Sequence, residues 1–254
     1  MKTIVKLGGR AQSSPALASV LAAAWHAAPG AMAVVHGGGE EISAMQRRLG
    51  GSPGFTGGRR VTSEDDIGVV RMVLSGLVNK RLVSMLVGAG VPAVGISGED
   101  AGFLEAQPLG MEEFGHVGMP GRVNTSLLSA LLDAGYLPVI SPLAANGDGP
   151  GALNVNGDDA AAAIAVATGA EELLLVADVD GVLDAEGTAF DVLDVYAARE
   201  LIASGTATNG MAAKLEAAHA ALAGGVASVR VAPLPGVLDA SLGTSITLVA
   251  SLVA

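Results

Sequence analysis

Two apolar strands that run straight into glycines constrain this chain more than any other feature. They are Thr3-Ile4-Val5-Lys6-Leu7-Gly8-Gly9 and Met32-Ala33-Val34-Val35-His36-Gly37-Gly38-Gly39, each followed by a helix-like stretch. Glycines at the carboxyl end of a strand let the backbone approach a ligand closely. The next helix then offers the unpaired N–H groups of its first turn to an anion. Two such turns close together imply neighbouring sites for two anionic groups, with Lys6 at one rim.

Strand and helix signals alternate along the rest of the chain, the pattern of a largely parallel sheet covered by helices. Ser14-Pro15 opens a helix whose apolar stripe is Leu17, Val20, Leu21 and Ala24, and the second turn leads into a short helix ending near Leu49. Gly50 to Gly58 predicts a mobile loop or hairpin leading to Arg59-Arg60-Val61-Thr62. Ser63, followed by Glu64, Asp65 and Asp66, caps a long helix with Val70, Val73, Leu74, Leu77, Val78, Leu82 and Met85 inward. Gly98 to Gly121 reads as a hairpin projecting from one edge. Helices are expected at 125–133, 160–168, 196–204 and 211–223, and strands at 137–140, 173–177 and 229–231.

Composition removes several function classes. There is no cysteine, which excludes disulfides, thiolate metal sites and Cys nucleophiles. The net charge of −11 argues against nucleic acid as a partner. Lys6 interrupts any signal-peptide core, and the longest apolar run, Ala160 to Ala167, is far too short to span a membrane. A soluble cytoplasmic protein is the expectation. With only four lysines against ten arginines, each lysine is a candidate for a role that needs a compact ammonium, such as contacting phosphate. No GxxxxGK[ST], GxGxxG or GxSxG motif occurs, and the four histidines lack metal-ligand spacing. The glycine turns therefore point to a small-molecule kinase or ligase.

The chain resembles the amino acid kinase family over nearly its full length. The resemblance is carried in order by KLGG at 6–9, HGGG at 36–39, Gly58-Arg59-Arg60-Val61-Thr62, Val78-Asn79-Lys80, Gly115-His116-Val117-Gly118, Gly135 to Ser141, NVNGDDAA at 154–161, ADVDGVLD at 177–184, Gly210-Met211 with Lys214, and Gly243 to Ile246. It implies an α/β three-layer sandwich: a central, mainly parallel sheet with helices on both faces. It also implies two lobes, residues 1–169 for the acyl acceptor and dimerisation and 170–254 for ATP. The branch it fits best moves the γ-phosphoryl of ATP onto the side-chain carboxylate of N-acetyl-L-glutamate in arginine biosynthesis. In that reading Lys6 and Lys214 neutralise the transferring phosphoryl group, and Asp158 holds the two lysines. Gly8, Gly9, Gly38 and Gly39 supply N–H groups. Arg60, Asn154 and Asn156 face the acceptor. Asp178, Val179, Asp180, Gly181, Val182 and Leu183, with Thr206, Ala207, Thr208, Gly210 and Met211, form the ATP walls. Mg²⁺ is held through the phosphates, with no protein metal site.

Plainer readings stand beside these. Lys6 at a strand end can snorkel to solvent, and Lys214 can be surface charge. Asp158 and Asp159 can be ordinary helix N-terminal acids, and Asn154 a turn former. Of Arg59 and Arg60, the family pattern selects Arg60. His36 reads as a packed strand-end residue and Lys80 as structural. Asn209 departs from the glycine or aspartate more usual at that position. The chain starts directly at its first strand, without the N-terminal helix of arginine-inhibited hexamers, which favours a homodimer without arginine feedback. The rivals are a carrier-protein-linked aminoadipate kinase of lysine biosynthesis and a non-catalytic nucleotide-binding module.

Overall fold

The computed structural model describes residues 2–248; residues 249–254, the end of the expected second lobe, lie outside the described residues. The chain lays down β1 (Thr3–Leu7), α1 (Leu17–Ala27), β2 (Met32–His36), α2 (Gly39–Arg48) and the hairpin β3 (Gly54–Thr56) with β4 (Arg59–Val61). A helical rod follows: α3 (Glu64–Arg71), a π-helical segment (Met72–Val78) and α4 (Asn79–Gly88). Next come β5 (Ala93–Ser97), β6 (Leu104–Pro108), α5 (Met111–Phe114), β7 (Gly118–Val123), α6 (Thr125–Asp133), β8 (Leu137–Ser141), β9 (Leu143–Asn146) and β10 (Ala152–Asn154). The last elements are α7 (Gly157–Thr168), β11 (Glu172–Val176), β12 (Val192–Asp194), α8 (Val195–Ala203), α9 (Asn209–Ala223), β13 (Ser228–Ala232) and β14 (Thr244–Thr247).

Eight strands form one sheet in the order β12-β14-β13-β11-β1-β2-β8-β5, parallel at every pairing except β13 with β14. β1 lies between β2 and β11, with Leu7 opposite His36 on one side and Val176 on the other. The two glycine turns therefore leave the same sheet edge side by side. The first half of the chain extends the sheet to one side of β1 and the second half to the other, the kind of crevice in which α/β sheets bind ligands.

Strand residues alternate between two apolar layers, as a period of two requires. Ile4, Ala33, Val35, Leu173 and Leu175 pack toward α6, α7, α8 and α9, whereas Val5, Leu7, Val34, Leu174 and Val176 pack toward α1 to α4. The α/β three-layer expectation is borne out. Three details differ from the sequence reading. The first turn enters a four-residue 3₁₀ segment, Arg10–Ser13, before α1. The 98–121 region joins β9 and β10 in a separate four-stranded sheet, β10-β9-β6-β7. The long helix carries the π segment, which its regular apolar spacing did not reveal, and within it Leu77, expected to face inward, is exposed.

Candidate active site

Parity along β1 decides where Lys6 points. It lies two residues after Ile4, so its side chain emerges on the face that α7 and α9 cover. There its Nζ meets Asp158 Oδ1 at 2.8 Å, and Lys214 Nζ from α9 meets the same oxygen at 3.3 Å. All three side chains are buried, at 7%, 6% and 10% exposure for Lys6, Asp158 and Lys214, so neither lysine is a solvated surface charge. Burial lowers the Lys6 ammonium from 10.5 to about 8; Asp158 opposes the shift and Lys214 adds to it. Burial pushes the Asp158 carboxyl up, but the two ammonium groups outweigh it and hold it below its ordinary value. One fixed anion thus keeps two cations close together in a dry site, a costly arrangement that stability alone does not explain.

Lys6, Asp158, Gly38 and Gly39 line one cavity of about 200 Å³ together with Arg60 and Asn154. Helix α2 begins there at Gly38 with no side-chain cap, so its first-turn N–H groups face the same space as the lysine cluster. Arg60 is buried and fixed on three sides: Nη1 donates to Gln46 Oε1 at 2.5 Å, and Nη2 donates to Gly39 O at 2.7 Å and Ser43 Oγ at 2.8 Å. Its guanidinium also lies 4.8 Å from the Phe55 ring centre. Gln46 in turn donates to Asp66, the residue that closes a capping box with Ser63. A helix cap therefore sets the pose of a cavity arginine.

Asn154 Nδ2 donates to Thr62 Oγ1 at 3.1 Å, and its N–H donates to the His116 carbonyl at 2.9 Å. The Gly115-His116-Val117-Gly118 stretch binds the end of the β3–β4 hairpin to β10, since Thr62 exchanges backbone bonds with Phe114 and His116. Asn156 lines the cavity while its Oδ1 accepts from the N–H groups of Asp158 and Asp159, capping α7. Gly157 beside it sits where a Cβ would be 3.3 Å from both Lys6 Cε and the His36 carbonyl.

Gly8 donates its N–H to Val176 O at 3.0 Å, so that group belongs to the sheet, whereas Gly9 opens onto free space. The expected ATP wall spreads over the neighbouring surface. Asp178 and Asp180 are exposed and Val179 half-buried, while Val182 and Ala207 are buried in the core. Val182 donates its N–H to Thr244 Oγ1 at 2.8 Å, and Gly181 is bare because a Cβ would strike the same hydroxyl. Leu183 forms an isolated bridge with Ala189. Thr206, Thr208 and Gly210 are exposed and Met211 is half-buried around the start of α9. Asn209 has φ +47°, a left-handed conformation that Asn, Asp and Gly tolerate best, which accounts for its replacing glycine or aspartate.

One pair went unassigned in the sequence. Arg59 Nη1 reaches Asp159 Oδ2 at 2.7 Å with both side chains largely buried, tying the hairpin to the first turn of α7. Burial raises the Asp159 carboxyl despite the arginine. Only the adjacency of paired arginines and paired aspartates signalled it. Among the described residues no group of three or more His, Cys, Asp or Glu is placed to hold a metal ion.

The chain is similar to known proteins over most of its length. The amino acid kinase family profile matches residues 1–233. An acetylglutamate kinase from Methanopyrus kandleri is 45% identical over 215 residues, 81% of this chain and 87% of that protein. One from Roseiflexus castenholzii is 40% identical over 240 residues, covering 93% and 91%. The crystal structure of smu.665 from Streptococcus mutans UA159 superposes with a TM-score of 0.88 at 30% identity, covering 97% of this chain and 98% of that one. Carbamate kinase from Giardia lamblia, at 13% identity and a TM-score of 0.73 over 96% and 98% of the two chains, shares the fold. Similarity of this length, on a fold shared to this degree, makes the chain a member of the amino acid kinase family.

Proposed function

We propose that this protein transfers the γ-phosphoryl group of ATP to the side-chain carboxylate of N-acetyl-L-glutamate, giving an acyl phosphate for arginine biosynthesis. The observation that carries the reading is the pair of buried lysines on one Asp158 oxygen, with Lys6 and Asp158 lining a cavity rimmed by an uncapped helix start. The relatives named acetylglutamate kinase support the choice of acceptor.

A carboxylate is already a nucleophile, so the site needs no general base. The barrier lies in bringing two anions together and in charge on the group in flight, which positioning and fixed cations lower. Lys6 and Lys214 neutralise phosphoryl oxygens from the two sides of Asp158. The N–H groups of Gly38 and Gly39 receive charge that develops on the transferring group and the acceptor. Arg60 binds the acceptor's α-carboxylate and Asn154 its acetamido group, with Asn156 beside them. Gly9, the 178–183 loop and the 206–211 turn hold the nucleotide, in a division between an acceptor lobe (1–169) and an ATP lobe (170–254). With Asp158 committed to two lysines, Mg²⁺ would be held through the phosphate oxygens, where it would offset phosphate charge.

The reading includes a cytoplasmic homodimer. The exposed apolar side chains of Met72, Leu77 and Val87 along the rod, next to edge strand β5, support a partner surface there. Purified protein with ATP, Mg²⁺ and N-acetyl-L-glutamate is expected to yield a hydroxamate when hydroxylamine traps the acyl phosphate. Turnover only of carrier-linked aminoadipate would replace the acceptor, and ATP binding without hydroxamate would reduce the protein to a nucleotide-binding module.

A further inference from the structure

The glycine turn after β2 is held from behind by buried polar groups that have no part in the chemistry above. His36 is fully buried, and its Nδ1 lies 2.9 Å from the Gly37 carbonyl oxygen. A carbonyl only accepts, so Nδ1 carries the proton and Nε2 is left to accept. Its donor is Asn79 Nδ2 at 3.1 Å. Three further contacts fix the orientation of that amide. Nδ2 also donates to Val139 O at 2.9 Å, Oδ1 accepts from Lys80 Nζ at 3.0 Å, and Lys80 Nζ donates to Gly95 O at 3.0 Å. Gly95 lacks a side chain where a Cβ would collide with the Asn79 amide. From another side, Gln12 Nε2 donates to the same Gly37 carbonyl at 3.3 Å.

The opposite wall of the turn is the π segment. A Cβ on Gly38 would lie 2.8 Å from Leu74 Cδ2 and 3.2 Å from Val78 Cγ2, so the backbone is clamped between the network and that helix. Single π turns are frequent at functional sites. Burial pushes the imidazole down to about 4, with Glu41 from α2 opposing and Arg81 and Lys80 from α4 adding to the shift, so the ring stays neutral at working pH.

The Gly37 carbonyl and the Gly38 N–H belong to one planar trans peptide, so anchoring the carbonyl aims the N–H the other way. We infer that His36 and Asn79 are positioning residues for phosphoryl transfer: Asn79 locks the neutral Nδ1–H imidazole, which fixes the 37–38 peptide and directs the Gly38 N–H into the cavity. The inference rests on the proposed role of that N–H group.

A pair of near-isosteric substitutions tests it. In His36→Asn the side-chain amide nitrogen reaches the place of Nδ1 and keeps the bond to Gly37. In His36→Gln it reaches the place of Nε2 and loses that bond. A structural role would penalise both alike. Positioning predicts a kcat loss of about 30-fold for His36→Gln but within about 5-fold for His36→Asn, with both KM values changed less than about 3-fold. Equal kcat losses, or a loss confined to the acceptor KM, overturn the inference. A second measurement does not depend on turnover. The ¹⁵N shifts of the His36 ring should show a protonated Nδ1 and an unprotonated Nε2, and Asn79→Ala should mix the two forms and shift the Gly38 amide signal. A protonated Nε2 in the unaltered enzyme, or an unmoved Gly38 amide, overturns it. If the unaltered enzyme turns over no N-acetyl-L-glutamate, the proposed function fails, and the ring and amide shifts alone decide the network.

Discussion

At the scale of single residues, two lysines share one carboxylate oxygen in a site nearly closed to water. With its ammonium lowered to about 8, Lys6 loses its proton inside the working range. We predict that log(kcat/KM) falls above about pH 8, as a pH–rate profile would record; a flat profile to pH 10 would remove Lys6 from the charge balance. The same shift has a consequence for stability. The folded value lies below the unfolded one, so the unfolded chain holds more protons between about 8 and 10.5, and this group's contribution to stability grows as pH rises through that window. His36 behaves likewise at lower pH. Its value of about 4 against 6.5 means stability is lost as pH falls from 6.5 toward 4, by up to roughly 3 kcal/mol. Denaturant titrations of His36→Asn should show a flatter acid limb than the parent. Arg60→Ala is expected to raise the acceptor KM about 10-fold or more with a smaller effect on kcat. Lys6, Asp158 and Lys214 were legible in the sequence through motif order. The Arg59–Asp159 pair was not, because with |i−j| = 100 the paired arginines and paired aspartates do not show which side chains meet.

At the scale of elements, the cavity depends on how helices begin. The Ser63–Asp66 capping box continues through Gln46 to Arg60, so one cap serves both a helix and a side chain that lines the cavity. Ser63→Ala should cost about 1 kcal/mol in chemical denaturation and raise the acceptor KM, whereas a cap isolated from the site would change stability alone. Gly115 holds φ +67°, and a Cβ there would collide with the Thr62 carbonyl. The element boundaries of α6 at 125–133 and β2 at 32–36 could be read directly, since apolar periodicity and caps agree there. The second sheet could not, because β9 and β10 are four- and three-residue strands, and β9 is built into the sheet by parallel pairing with β6, far upstream in the chain. The π segment was hidden for another reason: Met72 to Val78 carries an ordinary helical pattern, and its Leu74 and Val78 side chains lie against Gly38, a contact no local pattern encodes.

At the scale of the whole molecule, one continuous sheet joins the two halves of the chain through β1 and β11, so Lys6 from the first strand and Lys214 from the ninth helix meet on a shared anion. The proposed homodimer predicts a solution mass twice that of one chain by light scattering, lowered to one chain by charged substitutions at Leu77 and Val87 on the exposed rod. The central claim is that fixed cations, and not a base, lower the barrier to phosphoryl transfer. The most direct test is the rate of γ-phosphoryl transfer from ATP to N-acetyl-L-glutamate by Lys214→Ala at saturating substrates. A fall of about 100-fold or more, with ATP still bound, is the predicted result. A rate within a few-fold of the unaltered enzyme would contradict the account.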